Sequence, residues 1–147
     1  MYKACCGFGH REVFSNNSGQ LDKALLEAAE KGCKIFYTGA MGEFDNLFSS
    51  AVRNAKKTYP NIKLICVKPY FTNDINTGRD YYNAMYDDVI IPPEIIIGVH
   101  YKAAIKARNR WIIDNSDVVL VYFVRDYGGA FDAMKYALKK KKYVIKV

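Results

Sequence analysis

Two kinds of hydrophobic pattern take turns along the chain. Short apolar runs of strand length stand at about residues 2–6, 34–38, 62–67, 117–124 and 143–147. Between them, apolar residues recur every three or four positions, the period of a helix with one buried face. Leu21, Ala24, Leu25, Ala28 and Ala29 share such a face after Ser18, a favourable N-cap, and Gly32 ends that helix. Phe44, Leu47, Phe48, Ala51, Val52 and Ala55 form a second stripe, broken at Tyr59-Pro60-Asn61. A third helix is predicted over about 101–115, burying Ala104, Ile105, Trp111 and Ile112. A fourth carries Ala130, Ala133, Met134, Ala137 and Leu138 inward. Residues 71–99 follow neither period: Asn, Asp, Gly and Tyr dominate the first part, and a short strand at 89–91 ends at Pro92-Pro93. A stretch this long inside a compact domain is functional or partly helical.

Strand and helix alternating through short connections imply right-handed crossovers and a parallel sheet with helices on both faces. The expected fold is therefore α/β, a Rossmann-like three-layer α/β/α sandwich with a mostly parallel sheet of about five strands. The run 117–124 is apolar throughout, as a central strand covered on both faces should be. The length, 147 residues, is that of one domain, so residues 1–147 are expected to form a single Rossmann-like domain.

Half the residues are hydrophobic and 14% are aromatic, which excludes a disordered chain. No apolar run is long enough to span a membrane, and the first residues have no apolar core of signal-peptide length, so a cytoplasmic location is expected. Cys5, Cys6, Cys33 and Cys66 form no C-x-x-C pair and read as buried, reduced thiols. With His10 and His100 as the only histidines, no metal site is expected. The net charge is +7 and the pI about 9.2, which invites a nucleic-acid partner. Part of that charge is the run Lys139-Lys-Lys-Lys142 at a predicted helix end, where cations complement the dipole, so a solvated helix end is its first reading. An anionic small ligand suits a basic protein equally.

Parallel sheets bind ligands outside the carboxyl ends of their strands. Three loops are expected to meet there: Gly7-Phe-Gly-His-Arg11, Thr38-Gly-Ala-Met-Gly42 and Asp126-Tyr-Gly-Gly129. The last two open straight into helices, whose first N–H groups lack partners and carry partial positive charge. Glycine lets a phosphate approach such a backbone closely. The expected ligand contacts are Gly7, Gly9, His10 and Arg11 from the first loop and Thr38, Gly39, Ala40 and Gly42 from the second. Gly128, Gly129 and Ala130 come from the third. Arg108 lies on the buried face of its helix beside Asn109 and either binds the anion or pairs with a carboxylate such as Asp117 or Asp45. Tyr70, Tyr81, Tyr82, Tyr86 and Tyr101 surround the uncertain segment; one or two would stack on a base while the others pack the fold.

Together, Cys6-Gly-Phe-Gly-His-Arg11, Thr38-Gly-Ala-Met-Gly-Glu-Phe-Asp45, and Arg108 through Asn115-Ser-Asp117 to Gly128-Gly-Ala130 resemble the SLOG superfamily. It includes DprA/Smf, the LOG phosphoribohydrolases and the YpsA-like proteins. The G-H-R loop and Lys68-Pro-Tyr70 resemble the YpsA-like branch most closely. The resemblance implies a Rossmann-like fold and a site for nucleotide-derived ligands such as ADP-ribose or NAD. No cofactor is required, and a homo-oligomer, dimer or tetramer, is implied. LOG enzymes carry P-G-G-x-G-T-x-x-E with a catalytic glutamate; here Gly129-Ala130 matches the G-T pair and Ala133 stands at the glutamate. Nucleoside deoxyribosyltransferases show G-T-x-x-E-x-G-x-A, and residues 129–137 resemble that skeleton, again with Ala133 where the nucleophile stands. Asp132 is turned about 100° away from it on the helix. The leading expectation is thus binding or sensing of a small phosphorylated nucleotide-type ligand without catalysis. An N-glycosidic hydrolase or transferase using Asp45 or Asp132 is the first alternative. A DprA-like binder of single-stranded nucleic acid is the second.

Overall fold

A computed structural model of the chain describes residues 2–10, 18–96, 100–124 and 126–147. The order of elements is β1 (Ala4–Gly9), α1 (Ser18–Glu30), β2 (Ile35–Thr38), α2 (Glu43–Ala55), β3 (Lys63–Val67), α3 (Asp74–Thr77), α4 (Arg79–Met85), β4 (Asp88–Ile90), α5 (Pro93–Ile96), α6 (Tyr101–Asp114), β5 (Val118–Tyr122), α7 (Gly129–Lys139) and β6 (Tyr143–Lys146). The strands form one six-stranded sheet in the order β4-β3-β2-β1-β5-β6, and every pairing is parallel. This is the Rossmann-like architecture expected, with one strand more than the five counted from the pattern. The sixth is β4, at the short strand expected over 89–91, and it lies along β3 with Ile90 opposite Val67. Three residues are too few to show an alternation; the neighbour strand, not local periodicity, makes β4 a strand.

The strand period of two divides the core between the faces. From β5, Val118, Leu120 and Tyr122 face a cluster with Leu21 and Leu25 of α1 and Phe44, Phe48 and Val52 of α2. Val119 and Val121 face the opposite cluster, with Ile112 and Ile113 of α6 and Ala133 and Ala137 of α7. The side chains of β5 are buried along its whole length. The uncertain segment is partly helical, and Tyr82 and Tyr86 pack into the first cluster while Tyr81 is exposed. Among the described residues no helix is long and apolar enough to cross a membrane.

One expectation is corrected at β1. Gly7 and Gly9 belong to the strand, which runs three residues past the predicted end, and not to a loop after it. A Cβ on Gly7 would lie 2.5 Å from the Phe48 ring, and one on Gly9 would lie 2.2 Å from Phe44. These glycines let α2 press its phenylalanines against the sheet. Strand propensity alone disfavours glycine, so the pattern ends the strand too early.

Asp87 fastens the entry to β4. Its Oδ2 accepts the Leu64 N–H at 2.7 Å and the Lys56 ammonium at 2.5 Å. Partial burial pushes the carboxyl upward, but these two donors outweigh it and hold it below the ordinary carboxylate range. A carboxyl lowered on folding stabilises the fold above its unfolded pKa and loses that contribution as the pH falls through the lowered value. Asp87→Asn is expected to cost about 1 kcal/mol at neutral pH, a value typical of such hydrogen bonds at a partly exposed site. Urea unfolding at neutral and acidic pH checks it: the gap between the two proteins should close in acid.

Candidate anion-binding edge

The chain runs outward from β1 through β2 and β3 to β4, then returns to place β5 on the other side of β1. The reversal between β1 and β5 opens a crevice at the carboxyl ends of the strands. A cavity of about 430 Å³ lies there, lined by Phe8, Gly9, His10, Gly39, Met41, Gly42, Asp45, Ile105, Arg108, Asn109, Gly129 and Ala130. The structure thus brings most of the residues singled out by sequence to one place. Gly7 is not on its wall. Thr38, Ala40 and Gly128 are absent from the lining; Thr38 and Ala40 shape the second loop and Gly128 opens α7. Arg11 lies outside the described residues. Phe8, Met41 and Ile105 are lining residues that sequence reasoning did not single out.

Arg108 forms the floor. It is 3% exposed. Its Nη1 donates to the carbonyls of Val67 at 2.9 Å and Gly39 at 3.2 Å. Its Nε donates to Asn109 Oδ1 at 2.9 Å, and Nη2 meets Met41 Sδ at 3.0 Å. The guanidinium therefore ties the ends of β2 and β3 together. A Cβ on Gly39 would sit 2.9 Å from Arg108 Cζ, so a side chain there would push the guanidinium from its place. The alternative of a pair with Asp117 does not occur: the Asp117 carboxylate accepts the Lys3 and Ala4 N–H groups at 2.7 and 3.2 Å. Asp45 acts on Arg108 through space, and no ion pair to Arg108 forms among the described residues. Burial lowers the Arg108 pKa, yet guanidinium is basic enough to stay charged. The carbonyls and the thioether take its hydrogens without neutralising its charge.

The two helix mouths differ. At α2, Met41 N–H is taken by Asp45 Oδ2 at 2.8 Å and Ala40 N–H by Thr38 Oγ1 at 3.2 Å. The loop even holds Ala40 at φ 54°, a left-handed conformation that alanine rarely adopts. The Ala40 and Met41 N–H groups of the loop ahead of α2 are thus taken within the protein, while Gly42 opens the helix itself with no side-chain cap. At α7, Gly128 opens the helix at φ 98° with no side-chain cap. The Gly129 and Ala130 N–H groups have no acceptor among the described residues, and a Cβ on Gly129 would meet open space. His10, 4% exposed, accepts the Val124 N–H through Nε2 at 2.9 Å and so pins the segment that leads from β5 to this mouth. An accepting Nε2 carries no proton.

A second cavity, of about 600 Å³, runs between α6 and α7 and shares Ile105, Asn109 and Gly129 with the first. Lys102, Lys106 and Arg110 line it from α6, and Lys135 and Lys139 from α7; Asp132 is its one carboxylate among the described residues. Each set repeats every four residues, so its cations stand on one face about 6 Å apart along the axis. Sequence reasoning did not reach this groove. Asp132, weighed there as a catalytic group, faces it and not the first cavity.

All four cysteines are buried. Burial, opposed by a Ser116 hydrogen bond, pushes the Cys6 thiol up to about 12, and burial raises the others as well. Such thiols are poor nucleophiles. Among the described residues no group of His, Cys, Asp and Glu is arranged to hold a metal ion.

No protein-family profile and no curated protein matches the sequence. Solved structures do match. DNA processing protein A from Helicobacter pylori, known for its single-stranded DNA binding mode, superposes with a TM-score of 0.66 at 17% identity, over 98% of this chain and 64% of that one. DNA processing protein A (DprA) from Streptococcus pneumoniae superposes with a TM-score of 0.68 at 19% identity, over 99% of this chain and 50% of that one. The chain thus spans under two thirds of either protein. Both neighbours are DprA proteins of the SLOG superfamily, and what this chain shares with them is the Rossmann-like fold.

Proposed function

We propose that the chain binds single-stranded nucleic acid across the carboxyl edge of its sheet. One phosphate sits at the mouth of α7 above Arg108, and the following phosphates run along the groove between α6 and α7. The carrying observation is that groove, with five cations and a single carboxylate among the described residues, opening directly from the Arg108 cavity. A mononucleotide would use the cavity and leave the cations of the groove without a role. Nucleic-acid backbones need a line of positive charge, and aromatic rings to stack bases. Tyr136 lines the groove with the Arg110 guanidinium 5.1 Å from its ring centre. The single-stranded DNA binding named for the Helicobacter pylori neighbour lends support to this reading. Bond cleavage is not part of it, because Asp45 is engaged with Met41 and Ala133 presents no carboxylate.

Fluorescence anisotropy with a labelled thymidine oligonucleotide tests the reading. Affinity should fall with salt at a log–log slope of about −2 to −4, as three to five phosphate contacts would give. Lys106→Glu, Arg110→Glu and Lys135→Glu combined should weaken binding by about 100-fold or more at fixed salt. ADP-ribose, NAD and AMP should compete poorly. A protein that held one of these tightly and ignored the oligonucleotide would return the assignment to a small nucleotide ligand.

A further inference from the structure

Helix α7 has a second face that neither cavity uses. Phe131, in its first turn, is half-buried and lines neither the Arg108 cavity nor the basic groove. Its ring meets that of Phe123, just past β5, edge to face with centres 5.4 Å apart. Each ring carries an ammonium. Lys135 Nζ lies 5.5 Å from the centre of Phe131, and Lys146 Nζ, from β6, lies 4.8 Å from the centre of Phe123. Phe123 packs against the core on the α6–α7 side of the sheet, whereas Phe131 packs against neither core cluster among the described residues. A lone surface phenylalanine needs no explanation. A pair of rings bracketed by two lysines, directly after an uncapped helix mouth, has the composition of a stacking site.

Lys135 belongs to both surfaces, since it lines the groove from α7 and stands over Phe131. Gly129 and Ala130, whose N–H groups open the mouth of α7, immediately precede Phe131. A strand with a phosphate at that mouth therefore has the cations of the groove on one side of α7 and the ring pair on the other. An exposed ammonium on a ring is a weak contact, and a base stacked on the same ring is worth more. The base thus displaces the ammonium, which gains a phosphate oxygen in exchange. We infer that Phe131, braced by Phe123, is the platform on which a base of the bound strand stacks, with Lys135 and Lys146 taking the phosphates beside it. The inference rests on the strand-binding reading and adds a nucleobase subsite to it.

Anisotropy at low salt with an oligothymidylate and an abasic strand of the same length tests it, because the abasic strand keeps every phosphate and has no base to stack. Phe131→Ala should weaken the thymidylate about ten-fold and change the abasic strand by less than about two-fold. Phe131→Leu, which keeps apolar bulk without a ring face, should repeat that loss. Phe131→Trp should bind the thymidylate as the wild type does. Its added indole emission should be quenched by the thymidylate and not by the abasic strand, with the wild-type protein and its single tryptophan as the baseline. Circular dichroism identifies the variants that are folded. Folded alanine and leucine variants that bind the thymidylate as tightly as the wild type overturn the platform while strand binding stands. So does an equal loss on both strands, the mark of a merely structural ring. A wild-type protein that binds neither strand overturns both readings.

Discussion

Arg108→Met is expected to destabilise the fold by about 2–3 kcal/mol and to remove measurable strand binding. The substitution keeps an unbranched apolar stem, so packing along α6 changes little. What it removes are the donors to the Val67 and Gly39 carbonyls, both of them buried bonds. Charge-assisted hydrogen bonds contribute about 1.5–3 kcal/mol each; relief from desolvating a charge offsets part of the loss. The Gly39–Gly42 loop would relax as well, since the Gly39 carbonyl next to the left-handed Ala40 would lose its donor. Arg108→Lys should fall between, because an ammonium keeps the charge but not the planar fork that reaches two carbonyls and Asn109 together. Urea unfolding gives the stability change, and anisotropy at low salt gives the binding change in protein that remains folded. A methionine variant with wild-type midpoint and wild-type affinity would contradict both roles.

The alternation of periods was enough to predict a parallel sheet covered on both faces, because each helix and strand shows its buried stripe locally. The cavity was legible for the same reason: a parallel sheet delivers every strand's carboxyl end to one edge, so Gly39, Gly42, Gly129 and Arg108 could be brought together without knowing the strand order. The features that escaped depend on contacts distant in sequence. The short strand expected at 89–91 takes its place in the sheet only from β3. The second loop has the composition of an anion site, and only the hydrogen bond from Met41 to Asp45 shows that one of its N–H groups is taken. Lysines at 102, 106, 135 and 139 are each ordinary helix-surface residues. They become a groove only when α6 and α7 lie side by side, an arrangement no local pattern announces.

Gly9→Ala should be the most damaging single methyl group in the molecule, at about 3 kcal/mol, the upper end of the overpacking range. Its Cβ would fall 2.2 Å from Phe44 Cγ and 2.5 Å from Phe44 Cβ. Phe44 is fully buried and stacked on Tyr122 with ring centres 6.0 Å apart, so its ring has nowhere to turn. Gly7→Ala meets only ring-edge and ring-root atoms of Phe48, the nearest at 2.5 Å, and should cost about 2 kcal/mol. The pair separates packing from ligand binding through double-mutant cycles. Phe48→Leu should recover much of the Gly7→Ala loss, because leucine withdraws the ring carbons. Phe44→Leu should recover little of the Gly9→Ala loss, because leucine retains a Cβ and Cγ where the clash occurs. Should Gly9→Ala instead keep wild-type stability and lose only strand affinity, the glycine would be serving the cavity it borders and not the seam between α2 and β1.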